Sequence, residues 1–297
     1  MHPRSSLLNW AIFLALSLIW GSSFILMKIG LDNQLSPYDI AALRMLSSGL
    51  VLAPIAVKAF HGVPVNKRWP VFLSGTLGSL LPAFLFCLAE EGIDSSLAGT
   101  LNALTPIFVI LVSALVYKTP TPAHKVLGIC LAFLGSILLL LSNRGISLGQ
   151  GYMHVGYVIL ATLCYGINVN MVSRQLGQIS SLHIAAVALS LNAVPALIVL
   201  ILNGYFTGGS HTAGWWIGSA AAAALGVFGT ALASVIFYML VKRAGGIFAS
   251  MVTYGIPFVA IGWGIYYGES YGWIQVACLL VILAGVYLTN RRTSEAN

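Results

Sequence analysis

The chain has 297 residues, 59% of them hydrophobic and only 7% charged, with a mean hydropathy of +0.93. Soluble domains carry roughly 25% charged residues, so this inventory excludes a water-soluble surface and, with it, a cytosolic enzyme or soluble binding module. The net charge of +7 does not point to nucleic acid, because the basic residues stand at the ends of apolar runs, as membrane topology requires.

A spanning helix needs about 20 predominantly apolar residues. Ten runs meet this: 7–29, 38–57, 70–90, 95–117, 124–142, 152–173, 181–203, 215–241, 247–267 and 272–290. Backbone groups in lipid must bond internally, so the runs are helices, and their short connections leave no room for a soluble domain. The first holds 21 uncharged residues, Leu7 to Met27. That exceeds the core of about 7–15 residues in a cleavable signal, so it is read as a retained spanning helix. Cys87, Cys130, Cys164 and Cys278 all lie inside apolar runs without metal spacing, so neither metal, cofactor nor disulfide is expected.

Orientation follows from the basic residues. With the first residue in the cytoplasm, eleven fall on that side: Arg4, Lys58, Lys67, Arg68, Lys118, Lys125, Arg174, Lys242, Arg243, Arg291 and Arg292. Lys28 and Arg144 fall opposite, together with Asp32, Glu90, Glu91, Asp94 and Glu269. This bias predicts both termini in the cytoplasm.

The chain also repeats itself. Leu73 to Tyr117 aligns without a gap on Ala224 to Gly268 at an offset of 151, which places Gly75 on Gly226, Gly78 on Gly229, Phe86 on Phe237, Ala98 on Ala249 and Pro106 on Pro257. Further back the offset is 145: Trp20 falls on Tyr165, Gly21 on Gly166, Ser23 on Asn168 and Ser36 on Ser181. Each copy holds five helices, an odd number, so the second enters the membrane from the other side. The expected fold is therefore an all-α polytopic membrane protein of ten transmembrane helices in two inverted five-helix repeats, residues 1–145 and 146–297, a common architecture of secondary transporters.

Ile19-Trp20-Gly21-Ser22-Ser23-Phe24, then Ala42-Leu43-Arg44, then Pro106 in a helix rich in small residues, resembles the EamA-type permeases of the drug/metabolite transporter superfamily. The resemblance covers essentially the whole chain. It implies a ten-helix bundle around a central cavity, lined mainly by helices one to four and six to nine, with helices five and ten at the periphery. It also implies movement of small metabolites, amino acids or drugs, often outward. The family usually has an acid after the fourth and ninth helices; here Glu269 keeps it, while the first copy has Lys118.

Several residues carry candidate roles. Proline inside a helix removes a backbone hydrogen bond, so Pro106 and Pro257 are expected to bend two helices beside one cavity. Asn102 and Thr105 share a helix face, as do Trp20 with Ser23 and Tyr165 with Asn168. With Thr253, Tyr254, Phe86 and Tyr238, these are the expected cavity lining, aromatics contacting an organic solute and amides orienting it; packing between helices is the alternative for each. Arg44 is the one basic residue well inside a run, so it either holds a substrate carboxylate, pairs with Asp39 or an acid of the third helix, or snorkels to headgroups. Glu90 and Glu91 are candidates for proton coupling, with a solvated rim as the alternative.

Other classes fare worse. No G-x-x-x-x-G-K-[ST] loop or H-E-x-x-H motif occurs. Gly268-Glu269-Ser270-Tyr271-Gly272 matches G-x-S-x-G but bridges two membrane helices rather than a strand and a helix. An enzyme is not expected, and a scaffold needs no cavity. The expectation is a multi-pass secondary transporter of the bacterial inner membrane, monomeric or homodimeric. It exports amino acids or related metabolites by alternating access, with lipid and a small-molecule substrate as partners and no nucleic acid. A non-transporting scaffold and a multidrug efflux permease are the alternatives.

Overall fold

The computed structural model describes residues 3–120, 122–142, 150–207, 212–269 and 271–290. The boundary placed between residues 145 and 146 lies outside them, as do Arg144, Ser270, Arg291 and Arg292.

Among the described residues ten helices follow one another: α1 Pro3–Asp32, α2 Pro37–Phe60, α3 Val65–Ala89, α4 Ser95–Leu115, α5 Ala123–Ser142, α6 Gln150–Gln175, α7 Ser181–Leu202, α8 Ala213–Ala244, α9 Gly246–Tyr266 and α10 Trp273–Asn290. Among the described residues, α1 to α4 and α6 to α9 are long and apolar enough to cross a membrane, while α5 and α10 carry shorter apolar stretches. Local chemistry sets several of the ends. Ser36 caps α2 by accepting from the Asp39 amide at 3.1 Å, with Pro37 pre-set for the first turn. Thr212 caps α8 through the Trp215 amide. Gly245, at φ +87°, is the single residue between α8 and α9, a backbone conformation that other residues rarely adopt.

The outside of the bundle is apolar. Leu14, Leu18, Leu50, Ile198, Phe228 and Leu280 are exposed, an arrangement that suits lipid and not water. Polar side chains turn inward, and many serines and threonines satisfy themselves on their own helix, as Ser23 does on the Ile19 carbonyl at 3.1 Å.

Packing follows the sequence repeat. α2 lies along α7; α1 packs on α8 and α9 as α6 packs on α3 and α4; α2 meets α8 as α7 meets α3; and α5 pairs with α10, both touching α4 at the edge of the bundle. The glycines explain the close crossings. A Cβ on Gly75 would strike the Asn192 amide and sit 2.6 Å from the Ala188 carbonyl, and one on Gly226 would strike Ser47 and the Arg44 carbonyl. The same two polar residues of α7 and α2 bind matching carbonyls, Asn192 donating to Phe72 O at 3.1 Å and Ser47 to Ala223 O at 3.3 Å. Just beyond, both helices widen into π-helical segments at aligned positions, Thr76–Leu80 in α3 and Leu225–Leu232 in α8. Such segments gather at functional sites.

Candidate functional site

The site is built where four interrupted helices meet. Pro106 and Pro257 sit in the first turn of the second halves of α4 and α9, and a 3₁₀ turn precedes each, Asn102–Leu104 and Met251–Tyr254. Proline tolerates a helix's first turn and breaks its interior, so each helix restarts at its proline. The tightened turns carry Asn102 and Thr105 from α4, and Ser250 and Thr253 from α9, to one cavity. Thr105 Oγ1 bonds both the carbonyl and the side-chain oxygen of Asn102, at 2.9 and 3.1 Å.

The cavity between α1, α2, α3, α4, α6, α8 and α9 has about 760 Å³ of empty space, part of it open to solvent. Trp20, Ser23, Arg44, Phe86, Asn102, Thr105, Tyr165, Asn168, Tyr238 and Thr253 line it together. Tyr254 does not. It is half-buried and packs against the apolar core, since successive residues of a helix point in different directions and Thr253 is the one turned to the cavity.

Arg44 is buried at 6% exposure, which excludes snorkelling. Its Nε donates to Thr230 Oγ1 at 2.7 Å, and Tyr165 lines the same cavity. Asp39 is engaged elsewhere, by Ser36 at 2.7 Å and Asn203 at 3.2 Å. Among the described residues, no aspartate or glutamate lines the cavity. The cavity therefore has one fixed cation in an otherwise neutral wall.

The rest of the wall is aromatic and amide. Phe86 stacks beside Tyr165 at 6.1 Å and meets Phe24 edge-on at 5.5 Å, while Trp20 lies edge-on to Phe237 at 5.0 Å. The Trp20 indole donates to the Gly229 carbonyl at 2.9 Å, a carbonyl inside the π segment of α8. Asn168 Nδ2 lies 3.5 Å from the Tyr238 hydroxyl, itself 3.1 Å from Ser74 Oγ.

Sequence reasoning missed Ser79, Thr230, Ser234 and Phe237 as lining residues. A signal existed for three of them at the offset of 151: Ser79 and Thr230 align, each a hydroxyl in an apolar run, and Phe237 aligns with Phe86.

The candidate proton carriers separate. Glu91 is exposed, whereas Glu90 is half-buried with Oε1 enclosed and unpartnered. Glu90 Oε2 accepts from Ser95 Oγ at 3.0 Å. Burial pushes its carboxyl well above the usual carboxylate range; the Ser95 bond, Lys28 and Arg44 oppose this, and the Glu269 charge adds to it. Glu269, from the α9–α10 connection, accepts from the backbone N–H groups of Ser95 and Ser96, each at 3.1 Å, with Lys28 Nζ at 4.0 Å. Two carboxyl groups thus converge on the residue that begins α4. At the register-equivalent position of Glu269 stands Lys118, exposed and at φ +51°.

The EamA-like transporter family model matches residues 8–141 and again residues 153–291. Over 287 residues the chain is 26% identical to an uncharacterized transporter of Archaeoglobus fulgidus, covering 96% of this chain and 99% of that one. It is 25% identical to the uncharacterized inner membrane transporter YedA of Escherichia coli K12, over 97% of this chain and 92% of that one. A shorter match, 28% over 142 residues and about half of each chain, is to a probable amino-acid metabolite efflux pump of the same organism. A solved crystal structure superposes with a TM-score of 0.66 at 18% identity, covering 95% of this chain and 96% of that one, which speaks for the fold alone.

Proposed function

The chain belongs to the EamA-like transporter family, and from that premise we propose that it exports small organic solutes of the amino-acid class across the inner membrane by alternating access. Its ten-helix, multi-pass membrane architecture is that of a transporter rather than an enzyme. The finer reading, of substrate class and direction, rests chiefly on one observation. Arg44 is a buried guanidinium facing a cavity whose lining holds no carboxylate. Glu90 feels the Arg44 charge from outside the lining; a solute carboxylate entering the cavity would meet the guanidinium directly. The surrounding rings favour a solute with an apolar body. An organic cation finds no lining carboxylate here, which disfavours the multidrug alternative, and a scaffold has no use for a polar cavity.

Two inverted copies, residues 1–145 and 146–297, account for the recurrent contacts and for the aligned π segments and broken helices. In this reading Pro106 and Pro257 mark the joints about which the inner halves of α4 and α9 tilt. Glu90 is the candidate for proton coupling, because one of its oxygens is buried without a donor and Glu269 shares its serine neighbour. The name of the partial relative, an amino-acid metabolite efflux pump, agrees in substrate class and direction.

The test is reconstitution in liposomes, following counterflow of labelled amino acids, other metabolites and organic cations with and without a proton gradient. Saturable movement of amino acids is expected, with Arg44→Ala reducing it at least 10-fold while the protein stays monodisperse. Transport of organic cations alone, or full activity in Arg44→Ala, would refute the reading.

A further inference from the structure

Arg44 accounts for one end of a solute; the cavity holds a second unmet group. Asn168 is 3% exposed and lines the cavity, and its Oδ1 has no hydrogen-bond partner. A buried amide oxygen without a donor is unfavourable unless something arrives to fill it. The amide's plane is set by its neighbours. Nδ2 is directed to the Tyr238 hydroxyl, which continues to Ser74. Gly78, in the π segment of α3, lets the amide lie against its backbone: a Cβ there would collide with Nδ2 and stand 2.8 Å from Cγ. The bare oxygen is therefore the arm left over once the amide is seated.

It shares its cavity with Arg44. Arg44 on α2 and Tyr165 and Asn168 on α6 all line it, Asn168 lying three residues beyond Tyr165 on one face of α6, a rise of about 4.5 Å. An anion-seeking and a donor-seeking group thus face one cavity from different helices. Neither is matched in the other copy. The register partner of Arg44 is Leu189, and that of Asn168 is Ser23, whose hydroxyl bonds its own helix.

We propose that Asn168 is the amine-recognising residue of this transporter: its Oδ1 accepts an N–H from a solute whose carboxylate is held by Arg44. The site then selects amino acids over 2-oxo acids of the same shape, which offer no N–H. This rests on the transporter reading given above and deepens it. Sites built to bond a donor reject analogues that lack it.

The experiment measures binding to purified protein in detergent by calorimetry, using pairs that share a side chain: leucine with 4-methyl-2-oxopentanoate, and phenylalanine with phenylpyruvate. Wild type is expected to bind the amino acid at least 10-fold tighter than its partner. In Asn168→Ala that ratio falls to near 1. Asn168→Asp, which keeps an acceptor, retains or increases it. Arg44→Ala weakens both members of each pair and leaves the ratio. A ratio near 1 in wild type, one that persists in Asn168→Ala, or one lost equally in Asn168→Asp overturns the proposal, the last because it would show a structural role rather than an acceptor. If other solutes move in liposomes but neither member of a pair binds, the proposal fails and transport stands; if no solute binds or moves, both fail.

Discussion

Glu269→Gln tests how the acidic face is held. The carboxylate is 4% exposed and accepts from two adjacent backbone N–H groups, those of Ser95 and Ser96, at 3.1 Å each. Glutamine keeps one acceptor and turns an NH₂ toward the other amide, so one bond is lost outright and the survivor loses its charge assistance. Hydrogen bonds to charged groups are worth about 1.5–3 kcal/mol. The Lys28 contact adds little, since it stands at 4.0 Å with Lys28 30% exposed, and such pairs contribute at most ~1 kcal/mol. Loss of about 1.5–3 kcal/mol of local stability corresponds to a roughly 10- to 150-fold faster exchange of the amides it held. Hydrogen–deuterium exchange of the protein in nanodiscs, followed in peptides spanning residues 93–101, reads this directly, with α7 as the internal reference. Unchanged exchange at Ser95 and Ser96 would show that Glu269 does not hold α4. Acceleration spread equally over α7 would mean general destabilisation and would refute the local argument.

Other outcomes follow from the same geometry. Glu90 is held above the usual carboxylate range, so the folded protein binds its proton more tightly than the unfolded chain, whose value lies near roughly 4.3. The stability this contributes is complete below that value and is lost as pH rises through the raised one; melting temperature from pH 4 to 8 should fall more steeply in wild type than in Glu90→Gln, and equal slopes would contradict the assignment. Gly75→Ala meets the Ala188 carbonyl at 2.6 Å, backbone that cannot swing aside, and should cost about 1–3 kcal/mol by overpacking. Gly156→Ala, with nothing within 4 Å of its added Cβ, should be neutral or gain up to roughly 1 kcal/mol; thermal melts of the two variants in one detergent check the contrast.

Much of this site was legible because lipid simplifies the reading. In a helix surrounded by hydrocarbon, an asparagine, threonine or arginine has few places to point except inward, so Asn102, Asn168 and Arg44 announced themselves against their apolar neighbours. The repeat then doubled the signal, since Trp20 and Tyr165 or Pro106 and Pro257 could be checked against one another. What escaped depended chiefly on partners distant in the chain. Thr230, 186 residues from Arg44, is an ordinary threonine until α2 and α8 are brought together. Glu269 reads as a loop acid until its carboxylate is found on amides 173 and 174 residues away. Tyr254 was grouped with Thr253 by adjacency, although adjacent residues of a helix cannot share a face.

The pairing of Arg44 with Leu189 across the two copies has a consequence for why both copies occupy one chain. Two separate, identical five-helix proteins, inserted in opposite senses, would have every residue facing its own duplicate around the axis. Such an assembly could not carry a single guanidinium: it would carry two in one chamber, repelling each other and demanding two anions, or none. Joining the copies covalently lets each half accumulate its own substitutions, so that, in the site proposed above, one supplies the cation and the other the amine-recognising amide. A chamber with distinguishable ends can grip an asymmetric molecule in one orientation, which a strictly twofold chamber cannot do.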